Sequence, residues 1–585
     1  MTIARGLNDD PSLTSTAAPG LPPQVVCYER ADDIGFGVSG VVTRARAIRQ
    51  SFPELDLAEV PMAAPLVEER LVYLLDPVGA SRRSLPLRAG DRLIRALKPL
   101  VRLRHEAVEV PWIPGFLKKH DGFVFSIGQF SQWVTSQLMA LGNVQIWPAS
   151  PVAEPLLDGH RVKGIRLMDQ GTDREGQPDA GFTPGMDVHA ALTVVGDGPV
   201  GAISRSLDRA FGLPEGNSRR EWALGMKLVI DLPESAALKP GTVFHTIGYP
   251  EPEIFGFLYI HPGRVASVGI FVPSWFDNPV RTVWRYLQHF IQHPYLWRYL
   301  EGGKLRSWGA KSIEESGRRG EPFLVLDGCA RIGECSGTTN VLTGSGVDEA
   351  WCSGVLLAQS VLELWKTGQP FTRENLETTC VKRRRESWLD AELRAATHAR
   401  DGFERGFLRG LASMVIAGVT AGKLRLPQGS AAPGRRLRSL EEYCRGRLKP
   451  SQVRNLREHC RLRGVPLHDT VMEACGWPAI PYDGHLLMSL QDALLLGGKV
   501  QAPAGYRDHV RFRDAAICRA CETRVCVEMC SGQAIAPDLD GLPVFDREKC
   551  VHCGACLWNC TEIDEEQQAN LVFSAGAGGL HSAEN

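Results

Sequence analysis

Eight of the chain's 16 cysteines fall between Cys518 and Cys560, in two runs. The later run, Cys550-x2-Cys553-x2-Cys556-x3-Cys560, has the spacing of a bacterial-type iron–sulfur ligand set. The earlier one is Cys518-x2-Cys521-x4-Cys526-x3-Cys530. Three thiolates on one tight loop can reach one iron–sulfur cube, and in two-cluster modules the fourth ligand comes from the other run. That rule assigns Cys530, Cys550, Cys553 and Cys556 to one [4Fe–4S] cluster, and Cys518, Cys521, Cys526 and Cys560 to a second. Zinc is the competing reading, because four-cysteine zinc sites also use C-x2-C pairs. A disulfide framework fits less well, since Met1 to Pro11 has no apolar signal-peptide core. Two departures stand out. Ser531 and Thr561 follow the last cysteines where proline is usual, and the gap before Cys526 is irregular.

A second constellation points to a dinucleotide. The strand Val25 to Glu29 ends in an acidic residue suited to a ribose hydroxyl. Strand Leu192 to Val195 runs into Gly196-Asp197-Gly198, and strand Leu324 to Leu326 leads to Gly333-Glu334. Gly344 and Gly346 precede a helix starting at Val347, whose N-terminal N–H groups could face a phosphate or flavin ring. Each piece alone also fits a solvated strand end or an ordinary turn. The G-x-G-x-x-G turn that belongs ahead of Val25 is missing, since the first 28 residues hold only Gly6 and Gly20.

The elements that must carry these residues follow from composition and pattern. Charges nearly cancel at 66 basic and 67 acidic residues, so no overall field favours nucleic acid. Hydrophobic content of 44% implies a large core, and no apolar run reaches membrane-spanning length. The expected fold is α/β plus α+β: a FAD-binding Rossmann-like domain, an antiparallel substrate domain, and a C-terminal ferredoxin-like domain. Residues 1–110 read as a partial FAD-binding domain, and 111–190 as a membrane-proximal segment with a return to that domain. Residues 191–223 are a further FAD-binding segment, and 224–320 the antiparallel domain. Residues 321–422 hold a FAD-binding segment and an apolar helix. A bridging region, 423–510, precedes the iron–sulfur domain, 511–585. Arg281 to Tyr299 reads as one amphipathic helix, and Phe407 to Gly422 as an apolar segment broken by glycines. Trp112 to Leu117, followed by Lys118 and Lys119, suits insertion at a lipid interface with basic heads near phosphates.

Taken in order, these residues resemble the electron transfer flavoprotein–ubiquinone oxidoreductases. The resemblance is carried by Cys550-Val551-His552-Cys553-Gly554-Ala555-Cys556, by Asn570 to Phe573 and the glycines through Gly579, and by Cys530-Ser531-Gly532. Further similar stretches are Ile34-Gly35 to Ser39-Gly40, Tyr299 to Lys304, Trp308-Gly309-Ala310, Asn340 to Gly354, and Tyr482 to Gly498. It implies FAD near Glu29, Gly40, Gly196, Asp197, Gly198, Gly333, Glu334, Gly344, Gly346 and Val347. It also implies a [4Fe–4S] cluster on Cys530, Cys550, Cys553 and Cys556, electron transfer flavoprotein as donor, and membrane quinone as acceptor. The expected location is the cytoplasmic face of a bacterial inner membrane, held monotopically. The chain departs from the family in three places. Cys518, Cys521, Cys526 and Cys560 are additional, and Phe255-Gly256-Phe257 stands where the family's quinone loop has a glycine pair. The phosphate-binding turn is absent, and Met1 to Leu7 reads like the second half of the helix that should follow it, which suggests a start further upstream. Two other readings stay open: a flavin-dependent reductase of a prenyl or polyketide substrate, and a flavin-free electron relay.

Overall fold

The computed structural model describes the chain apart from residues 16–19, 22, 36–39, 220, 280–281, 425, 427–435, 464, 522, 561–568, 581 and 585. The part of the resemblance at 36–39 therefore lies outside the described residues.

A seven-stranded sheet forms the centre. Its order is Lys304–Glu314, Trp222–Asp231, Val265–Pro273, Phe255–His261, Thr242–Ile247, Glu68–Leu74 and Ala107–Glu109. The strand Trp222–Asp231 is buried along almost its whole length, because both faces of the sheet are covered. On one face Leu224, Met226, Leu228 and Ile230 pack with the helix Val283–Ile291 in the largest core cluster. On the other, Val243, Phe257 and Tyr259 meet Val42 and Val124. The sheet also recruits Glu68–Leu74, which pairs in parallel with Thr242–Ile247 and comes from within the 1–110 stretch.

Two smaller parallel pairings carry the dinucleotide-type turns. Val25–Tyr28 pairs with Val144–Trp147, and Thr193–Val195 with Cys329–Arg331. Among the described residues neither Val25–Tyr28 nor Thr193–Val195 has a strand on its other edge, and Cys27 and Val194 are exposed there.

Two helical expectations change. The expected helix 281–299 is two helices, Val283–Ile291 and Pro294–Leu300. Pro294 has no N–H to continue the first and is pre-set to open the second. His293 caps that second helix, its Nδ1 accepting from Tyr295 N at 3.2 Å. The segment expected to be broken by glycines is instead the continuous helix Phe407–Thr420. Its glycines serve close packing: a β-carbon at Gly410 would overlap the Phe403 ring, and one at Gly418 the Phe116 ring. The cost of glycine in a helix is about 1 kcal/mol each, which the aromatic contacts offset.

The C-terminal module is a small α+β unit. Short helices Ala515–Ala520, Val525–Glu528 and Ala555–Asn559 accompany two antiparallel pairs, Val510–Phe512 with Leu571–Phe573 and Ile535–Pro537 with Pro543–Phe545.

Candidate electron-transfer site

The eight module cysteines are electrostatic neighbours of one another within the C-terminal module. Burial, then the neighbouring Cys530 and Cys553, push the Cys550 thiol upward. Burial, then Cys553, Cys530 and Cys550, do the same to Cys556. Cys526 is pushed up to about 12 by burial and by Cys560, Cys521 and Cys518, and then by Cys530. Cys518 is raised by burial, Cys560 and Cys521. Thiols so close would repel one another as thiolates unless cations lay between them. Among the described residues no three His, Cys, Asp or Glu side chains are grouped tightly enough for one metal ion. A cube differs, because each thiolate binds a separate corner iron and the four sulfurs stand further apart. The sulfurs also receive N–H donors, as cluster thiolates do: Ala534 N to Cys530 at 3.1 Å, His552 N to Cys550 at 3.3 Å, and Asn570 Nδ2 to Cys518 at 3.1 Å. His509 Nε2 lies 3.3 Å from the Cys550 sulfur, inside a ring cluster with His552, Phe545 and Phe573.

The module is fastened to the rest of the chain at the Cys550 to Cys556 loop. Ser312 N donates to Cys553 O at 2.8 Å, and the Trp558 indole donates to Ser312 Oγ at 2.8 Å. Lys311 donates to His552 O at 3.2 Å, and burial, then Arg30, pushes its ammonium down to about 8. Gly554, at φ +76°, sits against Val200, next to the Gly196-Asp197-Gly198 turn. The cysteine loop and the dinucleotide-type turns are therefore neighbours, which no local pattern foretold.

Those turns divide by what borders them. At Gly198, Gly333, Gly344 and Gly346 a β-carbon would meet nothing within 4 Å. These glycines stand in the turn after Thr193–Val195, in the turn after Cys329–Arg331, and ahead of the N-terminus of the helix Val347–Lys366. Other expected residues do different work. Gly40 is pressed against Ser267 and Tyr259, so it allows strand packing instead of bordering a cavity. Gly196 faces Ile332. Asp197 turns back on its own chain: its carboxylate accepts from Ile203 N at 2.9 Å, Ser204 N at 3.0 Å and the Ser204 hydroxyl, capping the helix Ala202–Phe211. Asp197→Ala is expected to lower stability by about 1–2 kcal/mol through the lost cap, read as a reduced urea midpoint. Glu29 accepts from Ala31 N at 3.0 Å. Glu334 accepts from Glu314 N at 3.0 Å, and burial pushes it up to about 7.

Pattern reading missed Lys119. Read as a lipid-facing head, it is 1% exposed, and its ammonium donates to Thr343 O at 2.5 Å, beside Gly344. Burial pushes it down to about 8. Glu69, on a strand that offered no chemistry in the sequence, accepts from Lys119 N at 3.1 Å and lies 2.9 Å from His245 Nε2.

On the central sheet, Phe255 and Phe257 point to one face and Gly256 to the other, as strand periodicity requires. Gly256 is closed off by Phe290 and Thr246. Phe257 stacks on Tyr259 at 4.6 Å. Phe255 is half-buried among Trp275, Phe403 and Leu411, so it abuts the helix Phe407–Thr420. That helix leaves Leu408, Val415 and Val419 exposed, the last at 80%. Trp112 is exposed at 62%, and Leu85, Leu93 and Leu100 protrude around the helix Leu85–Ala96. Leu87 of that helix packs on Phe403 and Phe407, joining the two apolar surfaces. Among the described residues no helix is long and apolar enough to cross a membrane.

Residues 222–313, which span most of the sheet including Phe255 to Phe257, match the family model described as ETF-QO, ubiquinone-binding. The chain resembles the electron transfer flavoprotein–ubiquinone oxidoreductases. It is 29% identical over 385 residues to that protein of Pseudomonas aeruginosa, covering 64% of this chain and 64% of the relative. The mitochondrial protein of Mus musculus is 28% identical over 420 residues, with 69% and 62% covered. The mitochondrial protein of Arabidopsis thaliana is 31% identical over 339 residues, with 54% and 52% covered. The chain thus spans less than two thirds of the length of these relatives. A geranylgeranyl bacteriochlorophyll reductase-like protein from Thermoplasma acidophilum superposes with a TM-score of 0.47 at 15% identity, over 78% of this chain and 95% of that one.

Proposed function

We propose that the chain is an iron–sulfur flavoprotein that takes electrons from reduced electron transfer flavoprotein and passes them to a membrane quinone. The observation that carries this reading is the docking of the Cys550 to Cys556 loop on the ubiquinone-binding match, through Ser312 N to Cys553 O, beside open glycine turns. Bound FAD accepts one or two electrons, and a [4Fe–4S] cluster moves one, so together they join a one-electron donor to a two-electron acceptor. Gly198, Gly333, Gly344 and Gly346 leave room for the FAD ring and pyrophosphate, with helix N–H groups at Val347 facing negative charge. Cys530, Cys550, Cys553 and Cys556 hold the cluster. Lys119, held on the Thr343 carbonyl, keeps a cation beside the ring-facing loop. Phe255, between the sheet and the exposed helix, marks the quinone's entry from lipid.

Membrane contact is proposed through the surface formed by Trp112, Leu408, Val415, Val419 and the leucines around Leu85–Ala96. Arg88, Arg92, Arg405 and Arg409 are exposed along it and suit lipid phosphates. The cytoplasmic face of a bacterial inner membrane is the proposed location. Replacing Leu408 and Val419 together by glutamate should weaken binding to anionic vesicles at least about tenfold, from the apolar burial lost. Unchanged vesicle sedimentation would remove this surface from the account.

The test of the function is reduction of a short-chain ubiquinone by anaerobically purified protein, with photoreduced electron transfer flavoprotein as donor. Donor-dependent turnover with flavin present supports it. Bound iron with no flavin and no turnover would turn the assignment to the relay reading.

A further inference from the structure

The additional cysteines have a structural arrangement of their own. The helices Val525–Glu528 and Ala555–Asn559 pack against each other, and each spans from one thiol group to the other. Cys526 lies on the first, and Cys530 follows its end four residues later. Cys556 lies on the second, and Cys560 caps its C-terminus, again four residues on. One helical turn separates such positions, so each helix hands one sulfur to each group. The inner group is the one fastened to the sheet, and Cys550, Cys553 and Cys556 are buried. The outer group is nearer solvent: Cys521, Cys526 and Cys560 are partly exposed, and only Cys518 is buried. Cys526 is an electrostatic neighbour of both Cys530 and Cys556, so the groups adjoin. The buried Asn570 amide donates to the Cys518 sulfur at 3.1 Å while its oxygen accepts from Asp514 N at 2.9 Å, which holds that donor on the sulfur.

We infer that Cys518, Cys521, Cys526 and Cys560 bind a second [4Fe–4S] cluster, outboard of the first. It serves as the surface entry point for single electrons. An electron arriving from a one-electron donor reduces the outer cluster and then moves to the inner one, which reoxidises the outer. No bond is made or broken and no proton is transferred in this step. The role as entry point rests on the function proposed above; the binding site does not.

The experiment is iron, acid-labile sulfide and zinc analysis of the anaerobically purified full chain, with low-temperature EPR after dithionite reduction. About eight irons and eight sulfides per chain, with a spectrum broadened by coupling between two spins, are expected. Cys521→Ser should lower both contents to about four and leave one sharp, uncoupled signal. Cys521 is the conservative choice because it is partly exposed; beside its thiol neighbours, its sulfur lies 3.7 Å from the Thr523 hydroxyl. Cys518→Ala, which also strands the Asn570 donor, gives an independent second variant. About four irons in the unmodified chain, or one zinc in place of the missing four, would overturn the inference. Eight irons in a protein without quinone turnover would leave this site standing and remove only the function proposed above.

Discussion

Cys553→Ala is expected to reduce donor-dependent quinone reduction by at least about 100-fold, because a cube missing one thiolate ligand is lost or displaced. Cys553 is 8% exposed, and its carbonyl receives Ser312 N, so it joins the cysteine loop to the sheet. Alanine keeps that backbone bond and removes only the sulfur, which separates loss of the cluster from loss of the docking contact. Bound flavin should remain at the level of the unmodified protein, since the open turns at Gly333 and Gly344 belong to other segments. Cys352→Ala is the control. Cys352 is equally buried, but it packs with Ala47, Leu389 and Leu393, away from the module. It should lower stability modestly and leave turnover per flavin unchanged. If Cys553→Ala retained full turnover, electrons would reach the quinone without the inner group, and the proposed route would fail.

Glu251→Gln should stabilise the protein at alkaline pH, by roughly 2–4 kcal/mol at pH 8 and by much less at pH 4 to 5. Glu251 is fully buried, and burial pushes its carboxyl up to about 8. Its oxygens accept from Arg82 N at 2.6 Å and Ser81 Oγ at 3.2 Å, and Tyr286 OH stands 3.5 Å away. Burial outweighs the attraction of the Arg82 cation, so the native state favours the neutral acid. In the unfolded chain the carboxyl ionises near 4.5. The unfolded state therefore releases the proton first, and stability falls as pH rises from about 4.5 through about 8, then levels. Glutamine is neutral at every pH and keeps the acceptor for Arg82 N. The unfolding midpoint of the variant should depend less on pH over that window. A parallel pH profile for both proteins would mean that Glu251 is ionised in the native state.

How much of the site was legible depended on the range of the interactions involved. The cysteine spacing was readable, because ligands to one cube come from a few adjacent residues. Strands Val25–Tyr28 and Thr193–Val195 and the helix at Val347 were readable from apolar runs and glycine turns. The split at Pro294 was missed although its signal was present: a proline inside the expected helix 281–299. The apolar helix at Phe407–Thr420 was readable from its apolar run, but the role of Gly410 and Gly418, which look like breakers, was not until Phe403 and Phe116 are placed against them.

By itself, the sequence determined which residues could bind iron, which turns could face a dinucleotide, and which segments were apolar enough to meet lipid. Those properties reside in residue type and short spacing. Only the tertiary structure decided that Asp197 caps a helix, that Lys119 is buried against Thr343, and that Glu251 is buried deeply enough to favour its neutral acid. It also decided that the inner cysteines rest on Ser312 and that Phe255 abuts the exposed helix. Apart from the Asp197 cap, these depend on residues far apart in the chain. A side chain's charge, partner and exposure are set by what packs around it, and no local pattern carries that information.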